Sequence, residues 1–413
     1  MSILKKSSAI ILAMVLLLVT LSAGALAIQA DAATGNTYYI DNIGGNDSYN
    51  GLSVSQPWSS LEKVSATTFQ PGDTILFKRG GTWVGNLYPK GSGVLGSPIT
   101  IDAYGTGNLP LIDGNGRVFT PGGDWNDAAV YFRNQDYWTL RNLEVINDAT
   151  TVGDRSGIHF DANSGNHRGI TIQNCKVHNV KNDGNIGDHA RQGGINVWSR
   201  NWYNSFSDVL IENNEVYTIG STAIHVNAES PAGGGTNIVI RNNYAYDIGG
   251  DGIFINECTS PLVEYNVVNE SHNISKAACV ALWPFACTDA LFQFNEAYNT
   301  KTTYDGQGFD SDYMSRRTIF QYNYGHNNEG GFMLICSELT NWDGSKAGFN
   351  DGTIARYNIG QNNPGGQFNL STNITNTYIY NNTLYSKWGV SSSIATVYSR
   401  DGKTYPDETH FWN

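Results

Sequence analysis

The sequence contains few prolines, methionines, cysteines and charged residues. Its 413 residues include only 11 prolines, 4 methionines and 5 cysteines, and charged side chains make up 15%. An odd number of cysteines without zinc-finger spacing excludes a dense disulfide framework and a zinc finger. No apolar run after residue 33 is long enough to span a membrane. A formal net charge of −12 disfavours nucleic acid and anionic lipid as partners.

The first 33 residues have the pattern of a secretion signal. Lys5 and Lys6 precede the apolar run AIILAMVLLLVTL, and small-residue sites end at Ala27 and Ala32. A basic start, an apolar middle and a cleavage site describe a segment that is removed rather than folded. We therefore predict a signal peptide over residues 1–33 and a secreted, extracellular protein, with no membrane partner.

Asparagine, in contrast, is abundant and recurs at regular intervals. The phrase apolar–x–x–Asn appears in LIENNEVY, VIRNNYAY and LVEYNVVN, and successive copies lie 23 to 35 residues apart. The copies hold β-branched and aromatic residues without a helical pattern, which predicts a solenoid of strands. We expect the shared asparagines to stack as a ladder inside the coil and to tolerate the left-handed bend there. They are Asn214, Asn243, Asn266, Asn295, Asn323, Asn358 and Asn382.

The predicted fold class is all-β, a single-stranded right-handed parallel β-helix with a short N-terminal helical cap. Residues 34–70 are expected to hold the first strand and the cap, in which PWSSLEKVSA covers the open strand edges. Residues 71–413 are expected to form the β-helix domain and to end in mid-coil, because Asn413 stands where the next ladder asparagine belongs. We expect a monomer, with a piece of a longer multidomain chain as the alternative.

The N-terminal stretch YYIDNIGGNDSYNGLSVSQPWSSLEKV, followed by PGDTILFKRGGTW, carries a family resemblance. It is similar to the cap and first coil of secreted right-handed parallel β-helix proteins that process polysaccharides. That group contains pectate-lyase-like lyases and glycoside hydrolases. The resemblance implies the fold, export and a polysaccharide substrate, but it leaves the reaction open because this fold carries several chemistries.

A second phrase follows each asparagine, as in GIHFDAN, GINVWSR and GFDSDYM. Alternation of side chains along a strand places Val280, Phe332 and Leu334 among the expected inward residues. The residues between face outward over roughly 24 Å, and we predict a solvent-exposed groove in which Trp stacks on sugar rings and polar groups bind hydroxyls. A merely solvated face is the alternative. The expected outward strip is His159, Asp161, Asn196, Trp198, His225, Asn227, Phe254, Asn256, Ala281, Trp283, Asp310, Asp312, Met333, Ile335, Asn369 and Ser371.

Long loops precede several ladder strands and are expected to wall this groove. GDHARQGG places a carboxylate, an imidazole and a guanidinium together, and two further acidic residues lie in loops beside the GFDSDYM strand. We include the loop residues Asp188, His189, Arg191, Asp305 and Glu329 among the candidate site residues.

Paired carboxylates on one strand predict glycoside hydrolysis. Asp310 and Asp312 are two residues apart, so their Cα atoms lie about 6.7 Å apart on one face. This spacing predicts an inverting separation of about 6.5–9.5 Å, with nearer rotamers as the alternative. We expect Asp310 to be the acid, made less acidic by Trp283 and Met333, and Asp312 to be the base. The candidate catalytic residues are therefore Asp305, Asp310 and Asp312, with no cofactor or metal required.

Two other functions stay open. The first is β-elimination of a uronic acid, in which calcium neutralises the substrate and a basic residue takes the proton. Its candidate bases are Arg155, His159, Arg191, Lys276 and Arg316, and its candidate calcium ligands are Asp161, Asp188 and Asp305. The second is a non-catalytic glycan-binding module. The outward strip holds no Lys or Arg, and the net acidity disfavours an anionic polymer, so hydrolysis is the preferred prediction.

Overall fold

A computed structural model describes residues 34–119, 126–182, 192–200, 203–228, 235–275, 277–301, 304–340, 348–387, 389–390 and 392–412. The predicted signal peptide lies outside these residues, as do Asp188, His189, Arg191 and Lys276. Within the described ranges the chain forms one short helix and 36 strands. No helix of these ranges is long and apolar enough to cross a bilayer.

The helix α1 spans Leu61–Ala66. The strands are β1 Thr37–Ile40, β2 Thr74–Lys78, β3 Thr82–Val84, β4 Ile99–Tyr104, β5 Leu111–Asp113, β6 Ala128–Arg133, β7 Trp138–Arg141, β8 Glu144–Asn147, β9 Ser156–Ala162, β10 Asn166–Gln173, β11 Lys176–Val180, β12 Gly193–Ser199, β13 Ser205–Glu212, β14 Glu215–Ile219, β15 Thr222–Asn227, β16 Ile238–Arg241, β17 Tyr244–Ile248, β18 Ile253–Asn256, β19 Leu262–Glu264, β20 Val267–Asn269, β21 Leu282–Phe285, β22 Leu291–Gln293, β23 Glu296–Tyr298, β24 Gln307–Ser311, β25 Ile319–Gln321, β26 Tyr324–His326, β27 Gly331–Cys336, β28 Asn350–Asp351, β29 Ile354–Arg356, β30 Ile359–Gln361, β31 Phe368–Ser371, β32 Ile374–Thr375, β33 Thr377–Tyr380, β34 Thr383–Tyr385, β35 Ala395–Tyr398 and β36 Thr409–Trp412.

Three long parallel sheets run along the solenoid. The first has 13 strands, β1-β2-β4-β7-β10-β13-β16-β19-β22-β25-β29-β33-β36. The second has 11 strands, β3-β5-β8-β11-β14-β17-β20-β23-β26-β30-β34. The third has ten, β6-β9-β12-β15-β18-β21-β24-β27-β31-β35, and it carries the outward strip. From β6 onward each coil contributes one strand to each of these sheets, which confirms the predicted parallel β-helix.

The asparagine ladder has the predicted form over seven coils. Asn266 donates its side-chain amide to Asn295 Oδ1 at 3.0 Å, and Asn295 donates to Asn323 Oδ1 at 3.0 Å. Each of these amides also donates to a backbone carbonyl of an adjoining strand, as Asn295 does to Val263 at 2.9 Å. All of these groups are buried, so the ladder satisfies polar atoms that would otherwise destabilise the core.

The left-handed bend lies one residue before the ladder position, which corrects the expectation that the ladder asparagines themselves adopt it. Asn213 and Asn242 have φ of 55° and 54°, while Tyr265, Phe294 and Tyr322 have φ of 55–56° at the equivalent places. The ladder amide must point inward to bond its neighbours, so the strained conformation falls on the residue before it. Stacked rings occupy that position in the later coils, with centroids of Tyr265 and Phe294 4.9 Å apart.

The N-terminal helix is where the sequence places it. The Ser60 side chain accepts a hydrogen bond from the Lys63 backbone amide at 3.1 Å, as an N-cap serine does. Leu61 and Val64 are buried against the first coils, and the Trp58 and Tyr38 rings stack with centroids 4.7 Å apart. The amphipathic segment therefore packs on the core at this end of the solenoid.

The register of the third sheet differs from the predicted one at two strands. On β21, Leu282 rather than Val280 lies level with Ile253. Ala281, which directly precedes this strand, belongs to the core. Val280 instead packs outside with Phe254 and Trp283.

On β27, Phe309 pairs with Met333 instead of Phe332. Met333 and Ile335 therefore face the core, and Leu334 lies level with Asp310 on the outer side. Phe332 enters the core over Gly325, where a Cβ would lie 2.4 Å from the Phe332 ring. An unbroken apolar run fits either register by pattern alone, and only this packing selects one.

Candidate active site

Three aspartates meet at one place on the outer side of the third sheet. Phe309 points into the core from β24, so Asp310 and Asp312, one and three residues on, point outward. Asp305 precedes the strand at a left-handed position, φ 60°, and its backbone bridges to Cys279 of the preceding coil. The structure thus places the Asp310 and Asp312 carboxyl groups together, and Asp305 near enough for its charge to raise the pKa of both.

The pair on β24 is close and almost fully buried. Asp310 is 3% exposed and Asp312 is 8% exposed. The nearest carboxylate oxygens of the two lie within 4.8 Å of each other and of the Cys336 sulfur. This separation is shorter than the inverting range of about 6.5–9.5 Å that the strand spacing predicts, because both side chains turn toward the same neighbour, Cys336.

Burial dominates the electrostatics of this cluster. It raises the pKa of Asp305 to about 6, with a further contribution from Asp251 and an opposing one from Arg400. Burial also raises the pKa of Asp310 well above its usual range, helped by the charges of Asp312 and Asp305. The pKa of Asp312 is raised by burial too, although hydrogen bonds to its ionised form oppose the rise. Carboxyl groups that hold protons near neutral pH are suited to acid–base chemistry.

Asp312 is the member of the pair whose ionised form is supported. Its Oδ1 accepts a hydrogen bond from the Tyr313 backbone amide at 2.7 Å. The Cys336 thiol lies 3.0 Å from the same oxygen and 4.0 Å from Asp310 Oδ1. These contacts favour the ionised form of Asp312, so Asp312 ionises more readily than Asp310.

Among the described residues, the cation that acts on all three aspartates is Arg400. Arg400 follows β35 and forms an ion pair with Glu338, two residues beyond β27. Its positive charge lowers the pKa of Asp305, Asp310 and Asp312 alike, against the larger effect of burial. The cluster is therefore only partly neutralised.

The strip upstream of the carboxyl groups is aromatic and tightly packed. Trp283 lies level with Asp310 on the preceding coil and stacks on Phe254, with centroids 3.9 Å apart. Phe254 in turn stacks on His225 at 4.6 Å. The indole N–H of Trp283 donates to Asp251 Oδ1 at 2.9 Å. One ring face is covered by Phe254, so Trp283 is a packed wall beside the acids.

Farther upstream, Asp161 is held as an ionised carboxylate. It accepts hydrogen bonds from Tyr131, from Arg133 at 3.1 Å and from Arg200 Nε at 2.5 Å. Burial alone raises its pKa, but the Arg200 hydrogen bonds and the nearby positive charges bring it below the usual range. Asp161 is therefore part of a neutralising network, and it is not disposed to bind calcium.

The other candidate strip residues are buried as well. His159 Nδ1 lies 2.8 Å from Asp127 Oδ1, Asn196 donates to Ser156 Oγ at 2.9 Å, and His225 Nε2 lies 2.9 Å from Asn256 Oδ1. The predicted solvent-exposed groove is thus wrong in its exposure, although its residues share one face in the predicted order. Neighbouring side chains on successive coils pack against one another and exclude water. The residues concerned are His159, Asp161, Asn196, Trp198, His225, Asn227, Asn256, Trp283, Asp310 and Asp312.

Glu329 lies beside the cluster and differs from the three aspartates. Its side chain is about half exposed and pairs with Lys301 at 3.8 Å. A screened surface pair of this kind contributes little to stability. The loop candidates Asp188, His189 and Arg191 lie outside the described residues.

Two of the bases predicted for an elimination reaction, Arg155 and Arg316, form other interactions. Arg155 is buried and donates to the carbonyls of Thr151 at 2.7 Å and Lys181 at 2.9 Å. Arg316 packs over the Phe349 ring at 4.0 Å and pairs with Asp351. Neither group is arranged to take a proton from a substrate at the carboxyl cluster.

Sequence reasoning missed three residues that shape the site. Cys336 is level with Asp312, and the correct register of β27 would have revealed it. Asn350 binds the carbonyls of Ser311 and Cys336 from a separate short strand. Arg400 reaches the cluster from the strand two coils beyond β27. Spacing along the chain gives no signal for the last two.

No protein-family model matches the chain. The chain is 29% identical, over 86% of its length, to the lacto-N-biosidase of Bifidobacterium longum subsp. longum. It spans 27% of the length of that curated relative.

Solved structures share the architecture. The crystal structure of a GH136 lacto-N-biosidase from Eubacterium ramulus superposes with a TM-score of 0.71 at 25% identity, covering 91% of this chain and 68% of that one. The complex of XylC with xylose gives a TM-score of 0.50 at 13% identity, over 85% of this chain and 70% of that one, and shows the fold alone. The similarity to the two lacto-N-biosidases supports the hydrolase branch of the group predicted from sequence, and the pectate-lyase-like branch is not confirmed.

Proposed function

We propose that this chain is the catalytic β-helix of a glycoside hydrolase whose acidic centre is Asp305, Asp310 and Asp312. The observation that carries the proposal is the convergence of three carboxyl groups with raised pKa on one outward site. Similarity to a lacto-N-biosidase over most of the chain supports it. Hydrolysis of a glycoside needs one carboxyl group as acid and a second as base or nucleophile, and this cluster supplies both.

Asp312 is proposed as the nucleophile. The hydrogen bonds from the Tyr313 amide and the Cys336 thiol converge on Oδ1 and stabilise the charged form. They leave Oδ2 as the oxygen that attacks the anomeric carbon. Asp310 keeps its proton beside Asp312, so the two do not both ionise, and it acts as a neutral neighbour.

Asp305 is proposed as the general acid and base. It is the least buried of the three, and a pKa raised to about 6 lets it hold a proton in mildly acidic solution and release it as the pH approaches neutrality. These roles replace the sequence-based assignment of Asp310 as acid and Asp312 as base. The change follows from burial, which is deepest at Asp310.

The proposed reaction proceeds with retention of configuration. Asp312 Oδ2 forms a bond to the anomeric carbon while the glycosidic C–O bond breaks, and the Asp305 proton passes to the leaving oxygen. Water then attacks the glycosyl–Asp312 ester, gives its proton to Asp305 and releases the sugar. Crowding of Asp310 and Asp312 within 4.8 Å argues against the inverting pair predicted from sequence, which needs room for a water between its members, and we propose retention with Asp312 and Asp305 as the reacting pair.

The proposed substrate is a neutral oligosaccharide that contains a lacto-N-bioside unit, as the name of the curated relative indicates. The net charge of −12 and the acidic centre disfavour a polyanionic substrate. We propose that the reaction needs no cofactor and that calcium is dispensable. We further propose an extracellular location, from the leader pattern of residues 1–33.

The test is hydrolysis of a chromogenic p-nitrophenyl lacto-N-bioside, with nuclear magnetic resonance of the first product to assign its anomeric configuration. We expect p-nitrophenol release, a retained anomer and unchanged activity after treatment with a chelator. Glycan binding without turnover would identify a binding module instead. An unsaturated, ultraviolet-absorbing product from a uronic-acid polymer, lost with the chelator, would identify a lyase.

A further inference from the structure

Cys336 has an unusual environment for a cysteine. Its sulfur is 2% exposed and lies 3.0 Å from Asp312 Oδ1, within hydrogen-bond distance for sulfur. The other four cysteines are also buried and free, and within the described part of the chain none of them bonds a carboxylate. Cys336 differs from them because it lies level with Asp312 on the outer side of the third sheet. Other coils place different residues in this column, such as Asn256 and Ser371.

A buried amide fixes the thiol beside the carboxylate. Asn350 Nδ2 lies 2.6 Å from the Ser311 carbonyl, 3.2 Å from the Asp312 carbonyl and 3.1 Å from the Cys336 carbonyl. Its Oδ1 accepts from Thr353 Oγ1 at 2.7 Å. One side chain thus ties the end of β24 to the end of β27, and the two reactive side chains have a fixed relative position.

We infer that Cys336 is a positioning residue for the proposed nucleophile: its thiol donates to Asp312 Oδ1, which orients the carboxylate and sets its basicity. The inference rests on the proposed function, because it concerns the nucleophile named there. Cys336 contacts Asp312 rather than the substrate, so it acts only through that carboxylate.

A thiol suits this task because it is a weak donor. A hydroxyl or ammonium group would form a strong charge-assisted bond and make the carboxylate a poorer nucleophile. An apolar side chain would leave Asp312 buried without that donor, and the carboxylate would hold its proton. Burial and the two neighbouring carboxylates raise the pKa of Cys336 itself, so the sulfur keeps the proton that it donates.

Other charges also act on Asp312 and must be held constant in any test. The groups that face it from the surrounding elements are Asp305, Asp310, Cys336 and Arg400, and those farther out in the same cluster are Asp251 and Tyr398. Apart from Cys336 itself, none of these groups is changed by a substitution at Cys336.

The test compares Cys336→Ala with Cys336→Ser through the pH dependence of kcat/KM. The acidic limb reports ionisation of the nucleophile in the free enzyme. We expect Cys336→Ala to move this limb to higher pH by about one unit, because the donor is lost. We expect Cys336→Ser to move it to lower pH and to reduce kcat by up to about tenfold, because a hydroxyl is a stronger donor. A role in packing alone would lower activity in both variants without moving the limbs in opposite directions.

Cys287→Ala is the matched control, since Cys287 is another buried free thiol, on the core side and away from the acids. It should leave the limb where it is. The infrared S–H stretching band provides a readout that does not need activity. The band component that disappears in Cys336→Ala should shift in Asp312→Asn, and a component insensitive to that change would overturn the inference.

The same set separates this inference from the proposed function. Full activity of Asp312→Asn would end the proposed function, and this inference with it. An inactive Asp312→Asn together with a pH limb that neither Cys336 variant moves would end this inference alone. If Cys336→Ala does not fold, Cys336→Ser and the infrared comparison decide the question by themselves.

Discussion

Asp161 and Asp312 occupy the same outward column of the third sheet, five coils apart, and their electrostatics are opposite. Both are almost fully buried, at 1% and 8% exposure. The pKa of Asp161 is lowered, whereas that of Asp312 is raised. Burial alone therefore does not decide what a carboxyl group on this face can do.

The difference lies in the number of cations that each site receives. Two guanidinium groups and a phenol bind Asp161, which leaves its oxygens fully engaged. Asp312 and its two neighbours, Asp305 and Asp310, share one arginine among the described residues, and that arginine is itself paired with Glu338. A carboxylate whose oxygens are all bound by cations and donors serves the fold. A carboxyl group that lies among other carboxyl groups with little positive charge nearby keeps its proton more readily and can take part in acid–base chemistry.

The sharpest way to break this comparison is to remove the proposed catalytic carboxylates. Asp312→Asn should lower kcat on the chromogenic glycoside by roughly 10⁴-fold or more, since no nucleophile remains. Asp305→Asn should slow breakdown of the glycosyl intermediate, and added azide should restore turnover because it needs no general base. Initial-rate kinetics measure both. Asp289→Asn, in an exposed ion pair with Arg317, is the control.

Activity near that of the wild type in Asp312→Asn would show that the crowded end is not the reactive one. Azide rescue of Asp312→Asn rather than Asp305→Asn would exchange the two proposed roles.

The second prediction concerns the saturated end. Asp161→Asn removes the buried carboxylate that the partly buried Arg133 and Arg200 bind, so we expect the free energy of unfolding to fall by roughly 3 kcal/mol. Urea denaturation at neutral pH, followed by tryptophan fluorescence, measures the change. The matched variant Asp351→Asn removes a carboxylate from a more exposed pair and should cost far less. An unchanged urea midpoint in Asp161→Asn would mean that the network does not stabilise the fold.

The sequence predicts the fold well because every coil repeats the same physical requirements. The spacing of Asn214 to Asn382 predicts the ladder, and each amide finds its partner one coil away. Register is less predictable. At Phe332–Ile335 four consecutive apolar residues satisfy either face, and only the space above Gly325 selects the observed pairing.

The candidate site, too, was predictable from the sequence only in part. Alternation along β24 places Asp310 and Asp312 together on the outer face, and this was predictable from local sequence. Their burial was not, because it arises from side chains on other coils, such as the Phe254 and Trp283 stack. Arg400 joins them from 88 positions farther along than Asp312. Such contacts follow from packing between coils, on which the spacing within one coil has no bearing.

A third and smaller effect should appear when the deepest carboxyl group is replaced. The folded pKa of Asp310 is raised above an unfolded value of about 3.9, so the folded state retains a proton that the unfolded state loses as pH rises. Stability of the wild type therefore falls with rising pH on this account. Asp310→Asn removes that dependence and should gain roughly 1–3 kcal/mol at pH 7 but little near pH 4. Thermal unfolding at both values checks the sign, and a loss at pH 7 would contradict it.

The smallest effect is expected from replacing Arg400, the arginine that acts on the aspartate cluster among the described residues. Arg400 lowers the pKa of the three aspartates, so Arg400→Met should raise those values and move the acidic limb of kcat/KM to higher pH. Its side chain is 42% exposed, and solvent screening limits the shift to a few tenths of a pH unit. High salt should produce part of the same shift in the wild type and less in the variant. Arg317→Met, at a remote exposed pair, should leave the limb in place. A shift toward lower pH would mean that Arg400 mainly orients Glu338, and the contrast with Asp161 would then rest on geometry instead of charge.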